Sequence, residues 1–134
     1  MGGAQLTGHP IPAGIDDQDM TIPFSAGGLY STAPDLLRWE QALYGGKLLS
    51  AVSLARMTRP FKRDYAFGLA VDPDTRGNKV IWHCGLIEGF AGCISYVPAE
   101  KLSLVILSNV EGKVARTLMV NLLTILGHEP LMPK

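Results

Sequence analysis

The sequence has 134 residues, of which 47% are hydrophobic and 18% charged, and its 12 basic and 12 acidic side chains give a formal net charge of zero. This length and composition are typical of one globular domain, and the zero net charge argues against a nucleic-acid-binding protein, because neutralising phosphates requires a clustered positive excess. No run approaches the roughly 20 apolar residues that a membrane span needs. The first residues lack the charged and apolar regions of a signal peptide, so a cytoplasmic location without a membrane partner is expected.

The beginning of the chain differs in character from the rest. Residues 1–28 are rich in Gly, Pro and Asp and show no sustained hydrophobic period, which is typical of an extended, loop-like arm. Residues 29–134 are expected to form a single domain. The two cysteines, Cys84 and Cys93, are too few for a disulfide framework and are expected to be small, buried hydrophobic residues.

Three helices are predicted. The first begins at Thr32, where Asp35 three residues later completes a pattern typical of a capping box, and it ends at Gly45. Ser50 can cap a second, short helix that runs to about Met57. The third helix spans 113–126 and is apolar over much more than one face, so it is expected to contact more than one neighbour.

Four strands are predicted at 65–71, 79–84, 90–97 and 101–109, with a glycine-bounded connection at 85–89. Short connections between successive strands imply antiparallel neighbours. The fold class predicted is therefore α+β, with an antiparallel sheet of about four strands and helices packed on it. The last strand is apolar on both faces, which indicates that both of its faces are covered.

Several stretches of sequence occur together in an order and spacing that one large family shares. They are Ala26 to Leu36 followed by Trp39, Tyr65 to Leu69, the H-x-G-x-x-x-G-F pattern of His83 to Phe90, and the hairpin of Tyr96 to Asn109. With them, residues 24–127 resemble the C-terminal portion of the serine β-lactamase and DD-peptidase family, which includes class C β-lactamases and related esterases. The resemblance implies a partial β-lactamase-like domain in residues 29–134.

The resemblance also implies a site. In that family, the strand edge that would carry His83, Cys84 and Gly85 forms one wall of the active site. Gly85 would leave the edge open to the backbone of a substrate, and His83 would supply a proton donor or a positive charge beside the developing oxyanion. Cys84 takes a variable position where Thr is common. The structural alternative for His83 is a hydrogen-bonded histidine at a strand end.

The residues that would attack a substrate are missing from this sequence. No serine has a lysine three residues later, and no tyrosine is followed two residues later by an asparagine, so the family's Ser-x-x-Lys nucleophile and Tyr-x-Asn loop are absent. Ser31 fits the start of a helix better than the role of a nucleophile. The three histidines are scattered without ligands at metal-binding spacing, and no metal or cofactor is expected.

Three functions remain open at this point. The first is a fragment of a serine hydrolase that is inactive by itself, and the second is a non-catalytic peptide-binding or self-association module on the same fold. The third and weakest is a structural homo-oligomer without a ligand. Self-association is expected through strand 101–109, helix 113–126 or both, because the N-terminal half that completes the family's sheet is missing and an apolar strand edge then lacks a partner. Full-length relatives are often periplasmic or secreted.

Overall fold

The computed structural model describes residues 24–110 and 112–130. The elements are α1 (Phe24–Gly27), α2 (Ala33–Tyr44), α3 (Ala51–Met57), β1 (Ala70–Pro73), β2 (Lys79–Ile87), β3 (Phe90–Val97), β4 (Leu102–Ser108) and α4 (Val114–Ile125). The four strands form one antiparallel sheet in the order β1-β2-β3-β4. The predicted α+β class, with four antiparallel strands and helices packed on them, is confirmed.

Local capping chemistry determines where α2 and α3 begin. The hydroxyl of Thr32 accepts a hydrogen bond from the backbone N–H of Asp35 at 3.2 Å and donates one to the Asp35 carboxylate at 2.9 Å. Ser50 accepts from the backbone N–H of Ser53 at 3.2 Å. Each hydroxyl thus accepts from a backbone N–H that the first turn of a helix leaves free, so both predicted helix starts are confirmed.

The larger hydrophobic core lies between α4 and one face of the sheet. Met119 and Leu123 of α4 are fully buried there against Val80, Cys93 and Ile106 of three successive strands. Because Cys93 lies opposite Ile106 in the register, these side chains project to the same face. The apolar helix predicted over 113–126 thus buries one side against the sheet.

A second, smaller core lies on the opposite face of the sheet. Leu69, Val71 and Ile81 are buried there, with Tyr44 of α2 and Met57 of α3 packed against them. Helix α2 also contacts β4 from this side, whereas α4 contacts β4 from the other. A helix therefore packs on each face of the last strand, as predicted, although Leu107 near its end stays 45% exposed.

The first strand lies later in the chain than predicted. An alternating pattern predicts a strand over 65–71, but β1 covers only Ala70–Pro73. Residues 62–65 form a tight turn instead, in which the N–H of Tyr65 donates to the carbonyl of Lys62 at 3.0 Å. Gly68 has a φ of 72°, which interrupts extended backbone, so the alternation before it does not extend into a ladder.

The second strand is longer than predicted, and this changes the state of the cysteines. Strand β2 continues to Ile87, which lies opposite Phe90, so a turn of two residues replaces the predicted connection 85–89. This register places Cys84 directly opposite Cys93, with 4.1 Å between their Cα atoms, and the two form a disulfide. Both cysteines lie in the larger core, as expected of small hydrophobic residues, but they are joined to each other. A connection over 85–89 would place Cys84 opposite Phe90, so the predicted strands do not bring the two cysteines together.

The N-terminal arm can be compared with the structure only at its end. Residues 1–23 of the predicted arm 1–28 lie outside the described residues. Phe24–Gly27 form a short helix that lies against β2, so the expectation of a loop-like segment is wrong for these four residues.

Candidate functional site

The second half of β2 is an open strand edge among the described residues. Strand β1 pairs with β2 only from Lys79 to Trp82, where Ala70 is the last partner. Within residues 24–110 and 112–130, β2 pairs from His83 to Ile87 only with β3. The backbone N–H and C=O groups that point away from β3 along this segment have no strand partner among the described residues.

The three residues predicted for the site lie together on this edge. The side chain of His83 projects to the face of the sheet that α2 and α3 cover, and Gly85 leaves its position on that face empty, whereas Cys84 projects to the α4 face. His83 and Gly85 are exposed. A Cβ added at Gly85 would meet no atom within 4 Å, so the space beside this residue is free.

A cavity of about 380 Å³ adjoins the same edge. It lies between the turn at 63–65, the paired ends of β1 and β2, His83, Cys84, and Arg116 of α4. The ring of Tyr65 meets the imidazole of His83 edge-on, with 6.3 Å between the ring centroids and 65° between the planes. His83 thus stands at the mouth of a pocket, on the exposed strand edge.

One wall of the cavity is a strained turn. Arg63 and Asp64 have φ values of 47° and 59°, in the left-handed region that non-glycine residues seldom adopt. Such conformations are unfavourable by roughly 1–3 kcal/mol each and are concentrated at binding and catalytic sites. A hydrogen bond from the N–H of Val71 to the carbonyl of Asp64, 2.7 Å long, fastens the turn to β1.

The opposite wall is a packed group that holds β2 in place just before His83. The indole N–H of Trp82 donates to the carboxylate of Asp72 at 2.6 Å, and the guanidinium of Arg116 lies 5.2 Å from the centre of the indole ring. A hydrogen bond to a charged group and a cation–π contact both limit the movement of the indole ring. The strand that carries the site is therefore fixed to β1 on one side and to α4 on the other.

Two common nucleophiles, a serine hydroxyl and a free cysteine thiol, are absent from the described residues that line the cavity. No serine is among the described residues that line it, and Cys84 is bound in the disulfide. Ser31 lies next to the N-terminal cap of α2, where its hydroxyl is 3.4 Å from the carbonyl of Thr32. In the described parts of the chain, no group of three or more His, Cys, Asp or Glu side chains could hold a metal ion.

The turn and the group around Trp82 were not predicted from the sequence. Tyr65 was assigned to a strand, and no sequence signal marks Arg63 or Asp64, since turns with two left-handed residues usually contain Asn or Gly. Trp82 immediately precedes the H-x-G pattern, which could have drawn attention to it. Its partners Asp72 and Arg116 are 10 and 34 positions away in the sequence, so only the fold reveals them.

Comparison with known proteins gives three consistent findings. The sequence model of the family described as Beta-lactamase matches residues 2–126. The chain is 29% identical over 94 residues to the putative penicillin-binding protein PbpX of Bacillus subtilis (strain 168), covering 69% of this chain and 23% of that protein. The structure resembles the crystal structure of a penicillin binding protein from Bacillus halodurans with a TM-score of 0.63 and 18% identity, covering 70% of this chain and 30% of that one.

These similarities cover only part of each relative. The matched region spans less than a third of the length of both penicillin-binding proteins. The structural match, at 18% identity, establishes the shared fold.

Within the described residues, no helix is long and apolar enough to cross a bilayer.

Proposed function

The chain belongs to the beta-lactamase family, and from this premise we propose that it forms the substrate-binding wall of a serine hydrolase without performing acyl transfer by itself. The observation that carries the proposal is the open edge of β2 from His83 to Ile87, with a cavity beside it. The edge, the histidine and the free space at Gly85 together suit the binding of an extended peptide or an acyl compound of similar shape.

The first part of the proposal is binding by strand addition. A substrate backbone that lies along His83–Ile87 can hydrogen bond with the N–H and C=O groups that β1 leaves unpaired. Gly85 lies in the middle of that segment, and its lack of a side chain allows the substrate to approach the strand closely. A side chain of the bound substrate, next to the part that lies along β2, would enter the cavity.

The second part concerns His83. Its imidazole lies at the start of the open segment and at the cavity, where it can donate a hydrogen bond or a proton to an oxygen of the bound group. A donor aimed at the position where negative charge develops stabilises a tetrahedral intermediate. We assign His83 this role, and Cys84 and Gly85 the role of shaping the strand that binds the substrate.

The third part is the absence of acylation. Forming an acyl-enzyme requires a nucleophile whose oxygen or sulfur bonds to the substrate carbonyl carbon while a base removes its proton. Of the described residues, those that line the cavity offer neither a serine nor a free thiol, and the sequence contains no Ser-x-x-Lys motif. We therefore propose that acyl transfer at this site uses a nucleophile from outside this chain.

The test combines mass spectrometry with NMR, and a penicillin is the probe. We expect no covalent adduct after incubation with a fluorescent penicillin, but weak binding that shifts the backbone amide signals of 83–87. Gly85→Val should abolish these shifts, because its side chain would occupy the space the substrate backbone needs. Glu88→Val, an exposed change at the neighbouring turn, is the matched control and should leave them intact.

Two results would contradict this function. A stable adduct on any serine would show that the chain acylates without a further nucleophile. Amide shifts confined to residues away from β2, or unchanged by Gly85→Val, would show that the open edge is not the binding site.

A second function, self-association, is favoured by the other edge of the sheet. Strand β4 is the outer strand and carries Leu107, whose side chain is 45% exposed. On the adjacent helix α4, Val114, Leu118 and Ile125 are at least 45% exposed. An apolar edge strand readily pairs with another chain, and we propose a two-fold homodimer in which β4, α4 or both meet their counterparts.

Sedimentation velocity at micromolar concentration tests the dimer. The wild-type chain should sediment as a dimer, with an interface above roughly 1,000 Å², and Leu107→Lys should convert it to a monomer. Val52→Lys on α3, which is more exposed at 71% but lies away from β4, should remain dimeric. A monomeric wild-type chain would refute the proposal.

The disulfide also bears on the cellular compartment. Disulfides persist in oxidising compartments and are rare in the cytoplasm of most organisms. We therefore propose that the chain works in an oxidising environment, and alkylation of the thiols before lysis, followed by mass spectrometry, would show whether Cys84 and Cys93 are paired in the cell.

A further inference from the structure

One of the most completely buried ionisable groups in the described residues is a histidine outside the candidate site. His128 follows the end of α4 and its side chain is fully buried. Its Nδ1 lies 2.9 Å from Oδ2 of Asp74, and its Nε2 lies 3.0 Å from Oε2 of Glu100. Both ring nitrogens therefore face a carboxylate.

This imidazole connects three parts of the chain. Asp74 lies in the turn between β1 and β2, Glu100 lies in the turn between β3 and β4, and His128 lies in the segment after α4. The same segment is held by backbone hydrogen bonds from the N–H of Thr75 to the carbonyl of Glu129, 2.9 Å long, and from the N–H of His128 to the carbonyl of Leu123, 2.7 Å long. Residues 127–130 are thereby fastened to the end of the sheet.

The protonation state of the ring sets how many carboxylates it can bind. The imidazolium carries a proton on each nitrogen and can donate to Asp74 and Glu100 at once. The neutral ring keeps one proton and can donate to only one of them, and its bare nitrogen can accept from Nη2 of Arg76, which lies 2.8 Å from Nδ1 and 3.3 Å from Nε2. Loss of a proton therefore removes one of the two bonds between His128 and the turns of the sheet.

The surrounding charges favour the protonated arrangement. The charged groups that face His128 are Asp74 and Arg76 from one turn and Glu100 from the other, and α4 contributes none in its last turn. Two carboxylates, one guanidinium and one imidazolium sum to zero, whereas a neutral imidazole leaves a net negative charge around a fully buried carboxylate. The hydrogen bond that His128 donates to the Asp74 carboxylate raises the pKa of His128, against the opposing effect of burial.

We propose that His128 is a pH-dependent latch: its imidazolium fastens residues 127–130 to the turns at 74–78 and 98–101 by donating to Asp74 and Glu100, and loss of one proton removes one of these two bonds and loosens the segment. Because the pKa of His128 is raised above its ordinary value of 6.5, the stability it contributes is fully present below pH 6.5 and is lost as the pH rises through the folded-state pKa. Burial alone would raise the pKa of Asp74, but hydrogen bonds from Asn78, His128 and Arg76 hold it well below 3.8, so Asp74 stays ionised throughout this range.

The protonation state can be read directly from the imidazole nitrogen resonances of ¹⁵N-labelled protein. At pH 6.5 both nitrogens of His128 should carry protons, and the transition to the neutral ring should lie above the value measured in the urea-unfolded chain. As the neutral form appears, amide hydrogen exchange at Thr75 should accelerate, after correction for the intrinsic increase of exchange with pH. The acceleration should be at least about tenfold for each pH unit by which the transition of His128 in the folded chain exceeds that in the unfolded chain. Exchange at Ile94, in the middle of β3, should not.

Two variants separate the latch from a merely buried histidine. Glu100→Gln removes one facing charge while keeping an oxygen that can accept from Nε2, and should lower the transition of His128 by about 0.5 pH unit or more. Glu129→Gln changes an exposed carboxyl one residue away and should not move it. A neutral ring bonded to Arg76 at pH 6.5 would overturn the proposal, as would a transition that Glu100→Gln leaves unchanged.

Discussion

Replacing Glu40 by Gln should stabilise the protein at alkaline pH and have much less effect at acidic pH. Glu40 lies on α2 and is 1% exposed, and neither of its carboxylate oxygens has a hydrogen-bond partner among the described residues. Burial raises the pKa of Glu40 from 4.5 to about 7, and the nearby hydroxyl of Ser103 opposes the shift only weakly because it is not in hydrogen-bonding geometry with the carboxylate. An unpaired carboxylate is therefore held between α2 and β4.

The size of the effect follows from linkage. The pKa of Glu40 is higher in the folded than in the unfolded state, so its contribution is most favourable below pH 4.5 and is lost as the pH rises towards 7. A difference of 2.5 pKa units, from 4.5 to about 7, corresponds to roughly 3 kcal/mol at most. Ionisation of Glu40 should therefore lower the free energy of unfolding by about 2–3 kcal/mol between pH 4.5 and pH 8.

Urea unfolding at both pH values measures this contribution. Glu40→Gln should raise the free energy of unfolding by about 2–3 kcal/mol more at pH 8 than at pH 4.5. Comparing the two pH values cancels the effect of burying an amide, which is the same at each. Glu88→Gln, at an exposed carboxyl, is the control and should show no such difference. If Glu40→Gln has equal effects at both pH values, the carboxylate is solvated or paired and the reasoning is wrong.

Three further predictions concern stability. His83→Ala should change the free energy of unfolding by less than about 1 kcal/mol, because the side chain is exposed, and a loss above about 2 kcal/mol would mark His83 as a structural residue. Met119→Ala removes a fully buried side chain from the larger core and should destabilise the chain by about 2–5 kcal/mol in urea unfolding; a loss below 1 kcal/mol would show that α4 does not pack there. Replacing both Cys84 and Cys93 by Ser opens a loop with a sequence separation of 9 and should lower thermal and urea stability by about 2–3 kcal/mol. A wild-type chain equally stable with and without a reductant would show that the disulfide does not form.

The candidate site was predicted in part from the sequence. His83, Cys84 and Gly85 were placed on a strand edge by their resemblance to the family's H-x-G pattern, and the structure places them on the open part of β2. The cavity itself depends on Tyr65 and Trp82, which the sequence did not bring to the site. Its walls come from a turn, two strands and a helix, and no local sequence pattern predicts that these four elements lie together.

The sequence by itself determined the helix starts at Thr32 and Ser50, the antiparallel order of the strands and the apolar helix α4, because capping bonds, short turns and hydrophobic periods act over a few residues. Only the tertiary structure decided the disulfide, the unpaired carboxylate of Glu40 and the cluster around His128. The pairing of Cys84 with Cys93 depends on where a strand ends, and Asp74 and His128 are separated by 54 residues. Burial and charge at these positions result from long-range packing, in which side chains from distant segments remove each other from water.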